Sequence, residues 1–128
     1  MKTELCLLAA SVALAAAQIV LAVLLAIPQV GLPALLGNRE ELPVLTGAAD
    51  RAQRAYRNML ESLLLFTALV LIVTVANKTN ATTSFGAQLF FWGRVAYAPI
   101  YVIGIPVLRT LAWAVSLLGM ILIFCQLL

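Results

Sequence analysis

Residues 5–27, LCLLAASVALAAAQIVLAVLLAI, contain no charged side chain. As a helix rising about 1.5 Å per residue, this segment would span about 34 Å, slightly more than the hydrocarbon core of a bilayer. Its apolar residues run in blocks and do not alternate with polar ones, which excludes a barrel strand. A secretory signal cleaved after the small residues Ala15–Ala17 is the alternative, but the apolar run continues well past them. We therefore expect a membrane-spanning helix.

The rest of the chain shares this composition. Of 128 residues, 64% are hydrophobic and 10% are charged, whereas soluble domains carry about 25% charged residues. The surface must therefore face lipid, where backbone N–H and C=O groups find their hydrogen-bond partners inside helices. Further helices are predicted over residues 50–77, 85–103 and 107–128, after a connector rich in Pro and Gly. The fold class is an all-α membrane protein, a single domain over 1–128 forming a four-transmembrane-helix bundle.

Local signals predict where these helices begin and end. Pro28 follows the first apolar run directly and is expected to end that helix, because proline lacks an N–H. Thr82, Thr83 and Ser84 precede the third helix and offer hydroxyl groups that could cap it. Gly104-Ile105-Pro106 is expected to form a short turn between the third and fourth helices.

The charges are few and unevenly placed. Eight basic and five acidic residues give a net charge of +3, and they form no basic face that would bind nucleic acid. Histidine is absent, and Cys6 and Cys125 lie near opposite ends of the chain. No metal site is therefore expected, and both cysteines are expected to act as small buried hydrophobic residues.

Basic residues also predict the orientation in the membrane. The first connector, the start of the second helix and the third connector hold most of them: Arg39, Arg51, Arg54, Arg57 and Arg109. The opposite side has Lys2 and Lys78. Because cytoplasmic loops carry the excess of Lys and Arg, both termini are expected to face away from the cytoplasm, in a bacterial inner membrane or the endoplasmic reticulum.

The second helix gathers its polar residues on one face. At about 100° per residue they fall within about 120° of arc: Asp50, Arg51, Arg54, Arg57, Asn58 and Glu61. Arginines at a helix start can extend to the headgroups, which accounts for Arg51. It does not account for Glu61, which should lie about 6 Å inside the apolar boundary. An acid at that depth requires a partner.

The third helix carries a matching face of Arg94, Tyr97 and Tyr101, spaced three and four residues apart. An arginine near the bilayer centre costs about 2.5–3.5 kcal/mol on insertion scales, so Arg94 must meet an anion inside the bundle. Glu61 is the one acid within reach, as a purely structural pair or as a pair that also holds a ligand. Arginines, an amide, a carboxylate and phenols suit a small, multiply charged molecule. Glutathione meets every requirement, and phospholipid headgroups meet some.

These residues resemble a known family. Residues 51–66, RAQRAYRNMLESLLLF, resemble the most recognisable signature of the membrane-associated proteins in eicosanoid and glutathione metabolism (MAPEG), and residues 94–101, RVAYAPIY, resemble its second signature. The resemblance implies a homotrimer of four-helix bundles that holds glutathione between subunits near the cytoplasmic side. It implies these glutathione contacts: Arg51, Arg54, Asn58, Glu61, Arg94, Tyr97 and Tyr101. Arg109 would be the catalytic cation that stabilises the thiolate.

Two main functions stay open on these grounds. The first is a membrane-bound, glutathione-dependent transferase or peroxidase that conjugates or reduces lipophilic electrophiles arriving from the bilayer. The second is a non-catalytic lipid-binding or scaffold protein of the same fold. Catalysis requires a cation beside the glutathione sulfur, so the role of Arg109 distinguishes the two functions. A small transporter subunit is disfavoured, because its polar residues should continue through the full depth of the membrane.

Overall fold

The computed structural model describes residues 2–31 and 45–128, and four helices account for nearly all of them. They are α1 (Thr3–Val30), α2 (Gly47–Val75), α3 (Ala81–Ile103) and α4 (Pro106–Cys125). Most of the predicted first connector, residues 32–44, lies outside the described residues. Helices α1, α2 and α4 are each long and apolar enough to cross a membrane. The chain is therefore an all-helical integral membrane protein.

The helix ends differ from the sequence expectation by up to four residues, and two of the differences have a local cause. Pro28 lies inside α1, which continues to Val30 before Gly31 closes it with an N–H to the Ile27 carbonyl at 2.8 Å. Proline is tolerated there because a spanning helix loses only one local hydrogen bond to it. The N-cap of α3 is Asn80, whose Oδ1 accepts from the Thr83 N–H at 2.9 Å. Thr83 is the reciprocal partner of this capping box and not the cap itself.

A single stripe of α2 forms the centre of the bundle. Its buried members recur at alternating intervals of four and three residues, which places them on one helical face: Met59, Leu63, Phe66, Val70 and Val73. This stripe packs against Phe90 of α3 and Ile123 of α4. The rings of Phe66 and Phe90 stack with centroids 4.0 Å apart. Burial of this apolar stripe fixes which face of α2 meets the other helices.

Helices α3 and α4 form a tight hairpin and pack together more extensively than any other pair in the described chain. Gly104 takes a left-handed conformation with φ of 93°, and Pro106 opens α4. A methyl group added at Gly86 would lie 2.5 Å from the Gly119 carbonyl oxygen. Glycine at both positions therefore lets the two backbones touch.

Polar contacts tie the helices at both ends of the bundle. At one end Lys2 Nζ donates to Thr79 Oγ1 at 2.8 Å, and the buried Glu4 accepts from Thr83 Oγ1 at 2.9 Å. At the other end Arg51 of α2 contacts the end of α3. Cys6 and Cys125 are both exposed in the single chain. The expectation that they are buried was therefore wrong for the single chain.

Candidate functional site

Arg94 is the most deeply buried charged side chain of the described residues, with 1% of its surface exposed. It can lie there because Gly93 lets α4 approach closely: a methyl group at Gly93 would lie 3.0 Å from the Ala112 carbonyl oxygen. Its Nη1 donates to Asn58 Oδ1 across the α2–α3 contact at 2.6 Å. Two neighbouring helices thus position this cation inside the bundle.

Aromatic rings surround the remainder of the Arg94 guanidinium. Its Cζ lies 4.8 Å from the ring centroid of Tyr97 and 5.8 Å from that of Phe90, which is within the range of cation–π attraction. However, Nε and Nη2 are buried and have no hydrogen-bond partner among residues 2–31 and 45–128. A buried cation needs an anion or a full set of acceptors, and Arg94 has only one amide oxygen.

The predicted pairing of Arg94 with Glu61 is not formed. Glu61 is exposed, and the salt bridge between described residues joins Arg54 Nε to Asp50 Oδ2 at 3.1 Å. The physical reason lies in the helix geometry. Glu61 follows Asn58 by three residues and so points about 60° away from it around α2. Asn58 faces α3, and Glu61 faces outward.

Arg51 has a structural contact that sequence reasoning missed. Its Nε donates to the Val102 carbonyl oxygen at 2.8 Å, and its side chain packs over Gly104. The last carbonyls of a helix have no partner within that helix. Arg51 therefore caps the end of α3. No local signal in the sequence indicates this, because the two residues lie 51 positions apart.

A cavity of about 190 Å³ lies beside the buried arginine. Its lining combines polar and aromatic side chains from three helices: Asn58, Tyr97, Arg109, Thr110 and Trp113. The Arg109 Cζ lies 4.8 Å from the Tyr101 ring centroid, and the Tyr101 and Tyr97 rings are 5.5 Å apart. We name this space, with Arg94 behind it, the arginine cavity.

The structure brings together some of the predicted residues and leaves others apart. The arginine cavity and its wall contain Asn58, Arg94, Tyr97, Tyr101 and Arg109. Arg54 and Glu61 are exposed on the outer surface of α2. Thr110 and Trp113 line the cavity without having been predicted, although Trp113 follows Arg109 by four residues, a spacing that places both on one face of α4.

The chemistry of the arginine cavity suits an anion. The Arg109 guanidinium, an amide, a phenol and a hydroxyl line it and supply donors to carboxylates, and the Arg94 guanidinium lies behind Asn58. Among the described residues, no group of three or more Cys, Asp or Glu side chains could hold a metal ion.

The fold and this site define a class: a small helical membrane protein with a buried arginine beside a polar cavity between its helices. Comparison with protein families places the chain more closely. The MAPEG family profile matches residues 7–128, nearly the whole chain. The protein belongs to the MAPEG family, as the two sequence signatures predicted. Comparisons with curated proteins and with solved structures give no significant match.

Proposed function

We propose that this protein is a membrane-bound, glutathione-dependent transferase or peroxidase. It would conjugate or reduce lipophilic electrophiles that arrive from the bilayer, with glutathione as the thiol co-substrate. The observation that carries the proposal is the buried Arg94, whose Nε and Nη2 have no partner in the part of the chain that the structure describes. It lies beside a cavity lined by a second arginine, Arg109.

The unpartnered nitrogens of Arg94 support an anionic ligand. Leaving a buried charged donor unsatisfied costs more than the roughly 1–3 kcal/mol of a neutral group. A carboxylate of glutathione would offset that cost by displacing Asn58 and accepting from the guanidinium in its place. Tyr97 and Asn58 would orient the same molecule from the cavity wall.

The size of the arginine cavity supports a site shared between subunits. Its volume of about 190 Å³ is below the roughly 300–1,000 Å³ of small-molecule sites. A single chain therefore supplies only part of a glutathione site. Arg54 and Glu61 are exposed nearby on α2, and in a homotrimer they would supply donors and an acceptor for the ligand ammonium at a subunit boundary.

The position of Arg109 supports a role in thiolate activation. It lines the arginine cavity at the start of α4, with its guanidinium against the Tyr101 ring. A neighbouring cation favours the charged form of a thiol and so raises the thiolate fraction. The thiolate would then attack the electrophilic atom of the acceptor, and the pair of electrons from the broken bond would leave with the departing group.

The proposed topology has four crossings. Helix α3 contains Gln88 and Arg94 and is not among the helices that are long and apolar enough by themselves to cross a membrane. It packs between α2 and α4, so it would be the fourth crossing. The arginines at the start of α2 and of α4 would be cytoplasmic, and both termini would face the other side. This orientation would place the arginine cavity near the cytoplasmic side, where glutathione is available.

Calorimetric titration of glutathione into detergent-purified protein tests the proposal. We expect saturable binding, a thiolate absorbance in the ultraviolet, and loss of binding in Arg94→Met. Arg109→Ala should keep binding and lose the thiolate signal. The matched control is Arg57→Ala, which removes an exposed arginine from the polar face of α2. This variant should bind glutathione as the wild type does. A folded protein that binds no glutathione would overturn the proposal.

The alternative is a non-catalytic lipid-binding or scaffold protein, and one contact favours it. Arg109 stacks on Tyr101, so this cation could serve packing and not catalysis. The two functions differ in one result of the same titration. If glutathione binds without a thiolate signal in the wild-type protein, the scaffold function is the better account.

A further inference from the structure

A second cavity of about 370 Å³ lies among α1, α2 and α3 and shares no lining residue with the arginine cavity. Alanines on three helices leave this space open: Ala17, Ala52, Ala55 and Ala98. The remaining walls are apolar except for one side chain, Gln18. We name it the Gln18 cavity.

Gln18 is an unusual residue in its position. It lies in the middle of α1, its side chain is 7% exposed, and no residue of the described chain hydrogen-bonds to its buried Oε1. An unsatisfied buried polar atom is unfavourable, and lipid tails cannot relieve it. Leucine at the same position would pack without this cost. The amide therefore indicates a partner that enters the cavity.

The walls of the Gln18 cavity show where a partner would enter. Ala52 and Ala55 form its buried floor. Leu21 of α1 and Ile103 of α3 border it and are exposed on the apolar outer surface, by 42% and 68% respectively. The cavity therefore opens between α1 and α3 toward the lipid, and its occupant would come from the bilayer.

The lining also limits the chemistry of the occupant. No cation lines the cavity, so a carboxylate or phosphate would be buried without a counter-charge. A hydrocarbon would leave the amide unsatisfied. A hydroxyl group both donates and accepts, so it can pair with either end of the amide. The volume is near the lower limit of small-molecule sites, which favours one slender molecule.

We propose that the Gln18 cavity binds a membrane-dissolved apolar alcohol, whose hydroxyl group hydrogen-bonds to the Gln18 amide. The alkyl part of the molecule lies between the alanines of α2 and α3. The site is independent of glutathione, and its occupancy does not require the arginine cavity to be filled.

Photo-crosslinking tests this site in the full-length protein reconstituted in phosphatidylcholine nanodiscs. The probe is a ten-carbon primary alcohol with a diazirine on its chain, and the modified peptides are mapped by mass spectrometry. We expect labels on α1 and α3 near Gln18 and Ala98. We also expect 1-decanol to compete about fivefold better than n-decane or decanoate, the factor that one hydrogen bond of ordinary strength supplies.

Two variants test the Gln18 amide and the volume of the Gln18 cavity separately. Gln18→Leu should abolish the preference for 1-decanol over n-decane, and Ala98→Leu should fill the cavity and abolish specific labelling. Gln88→Leu replaces an exposed glutamine of α3 and should change neither result. Unaltered tryptophan fluorescence would show that each variant is folded. Equal competition by alcohol and alkane in the wild-type protein, or labelling that survives Ala98→Leu, would overturn the proposal.

Discussion

The hydrogen bond from Arg94 to Asn58 allows a quantitative test of how the buried cation is held. Asn58→Leu removes the acceptor at nearly constant volume and leaves a guanidinium that is 1% exposed with no hydrogen-bond acceptor in the described chain. Hydrogen bonds to charged groups contribute about 1.5–3 kcal/mol. Because Asn58 borders a cavity that water can enter, we expect the lower part of that range. A loss of about 2 kcal/mol lowers the ratio of folded to unfolded protein about thirtyfold.

The companion variant Arg94→Met removes the charge itself. Asn58 then loses its donor but faces the arginine cavity, where water can replace it. We expect a change in unfolding free energy below about 1 kcal/mol, because the variant also removes the desolvation cost of the cation. The double variant should be more stable than Asn58→Leu alone by about 1.5 kcal/mol, since the two residues are directly coupled.

Unfolding by sodium dodecyl sulfate in mixed micelles provides the measurement, followed by the fluorescence of Trp92 and Trp113. The titrations are made without thiol, because a ligand that binds only the folded state would stabilise each variant differently. Gln53→Leu, an amide on the same helix, is the control. Equal stability of Asn58→Leu and wild type, or strictly additive effects in the cycle, would refute the view that Asn58 holds the buried charge.

Three further predictions follow from close contacts elsewhere and use the same titration. Gly86→Ala should lose about 1–3 kcal/mol, because its methyl group would meet the Gly119 carbonyl oxygen. Thr83→Val should lose about 2 kcal/mol, because it removes both the hydroxyl that accepts from the Asn80 N–H and the donor to the buried Glu4. Arg51→Met should lose about 1 kcal/mol, because the end of α3 loses its cap.

Each of these variants has a neighbour that serves as its control. Ala96→Val adds volume on an exposed face of α3, Thr82→Val removes a hydroxyl next to Thr83, and Arg57→Met removes an exposed arginine of α2. All three should be nearly as stable as wild type. If Arg51→Met lowers glutathione affinity and leaves stability unchanged, Arg51 is a ligand contact and its capping role is wrong. Losses no larger than those of the controls would contradict the other two assignments.

The sequence was sufficient to predict the helices and the family, because both depend on local patterns. Long apolar blocks give the number and order of the helices, and the signature over residues 51–66 gave the family that the profile match confirms. Pro28 was misjudged because a breaker weakens a helix only slightly where lipid favours backbone hydrogen bonds. Features that depend on the pattern within one segment of the sequence could therefore be predicted.

The candidate site could be predicted only to the level of a helix face. Asn58 and Glu61 lie about 60° apart on α2, and which of them meets Arg94 depends on how α2 is rotated against α3. The sequence cannot supply that rotation, because it results from the packing of residues such as Phe66 and Phe90. The Gln18 cavity was missed for a similar reason, since it arises where alanines of three helices coincide.

The short turn between α3 and α4 has a consequence for biogenesis. On the proposed topology, α3 must enter the bilayer with Arg94, which costs about 2.5–3.5 kcal/mol at the centre of a lone helix. Only Gly104 and Ile105 separate α3 from the strongly apolar α4. On this topology both helices would reach the insertion machinery as one hairpin, and the later-made helix would help to carry the earlier one into the lipid. The arginine that shapes the site would thus be shielded by its neighbour as soon as both helices enter the membrane.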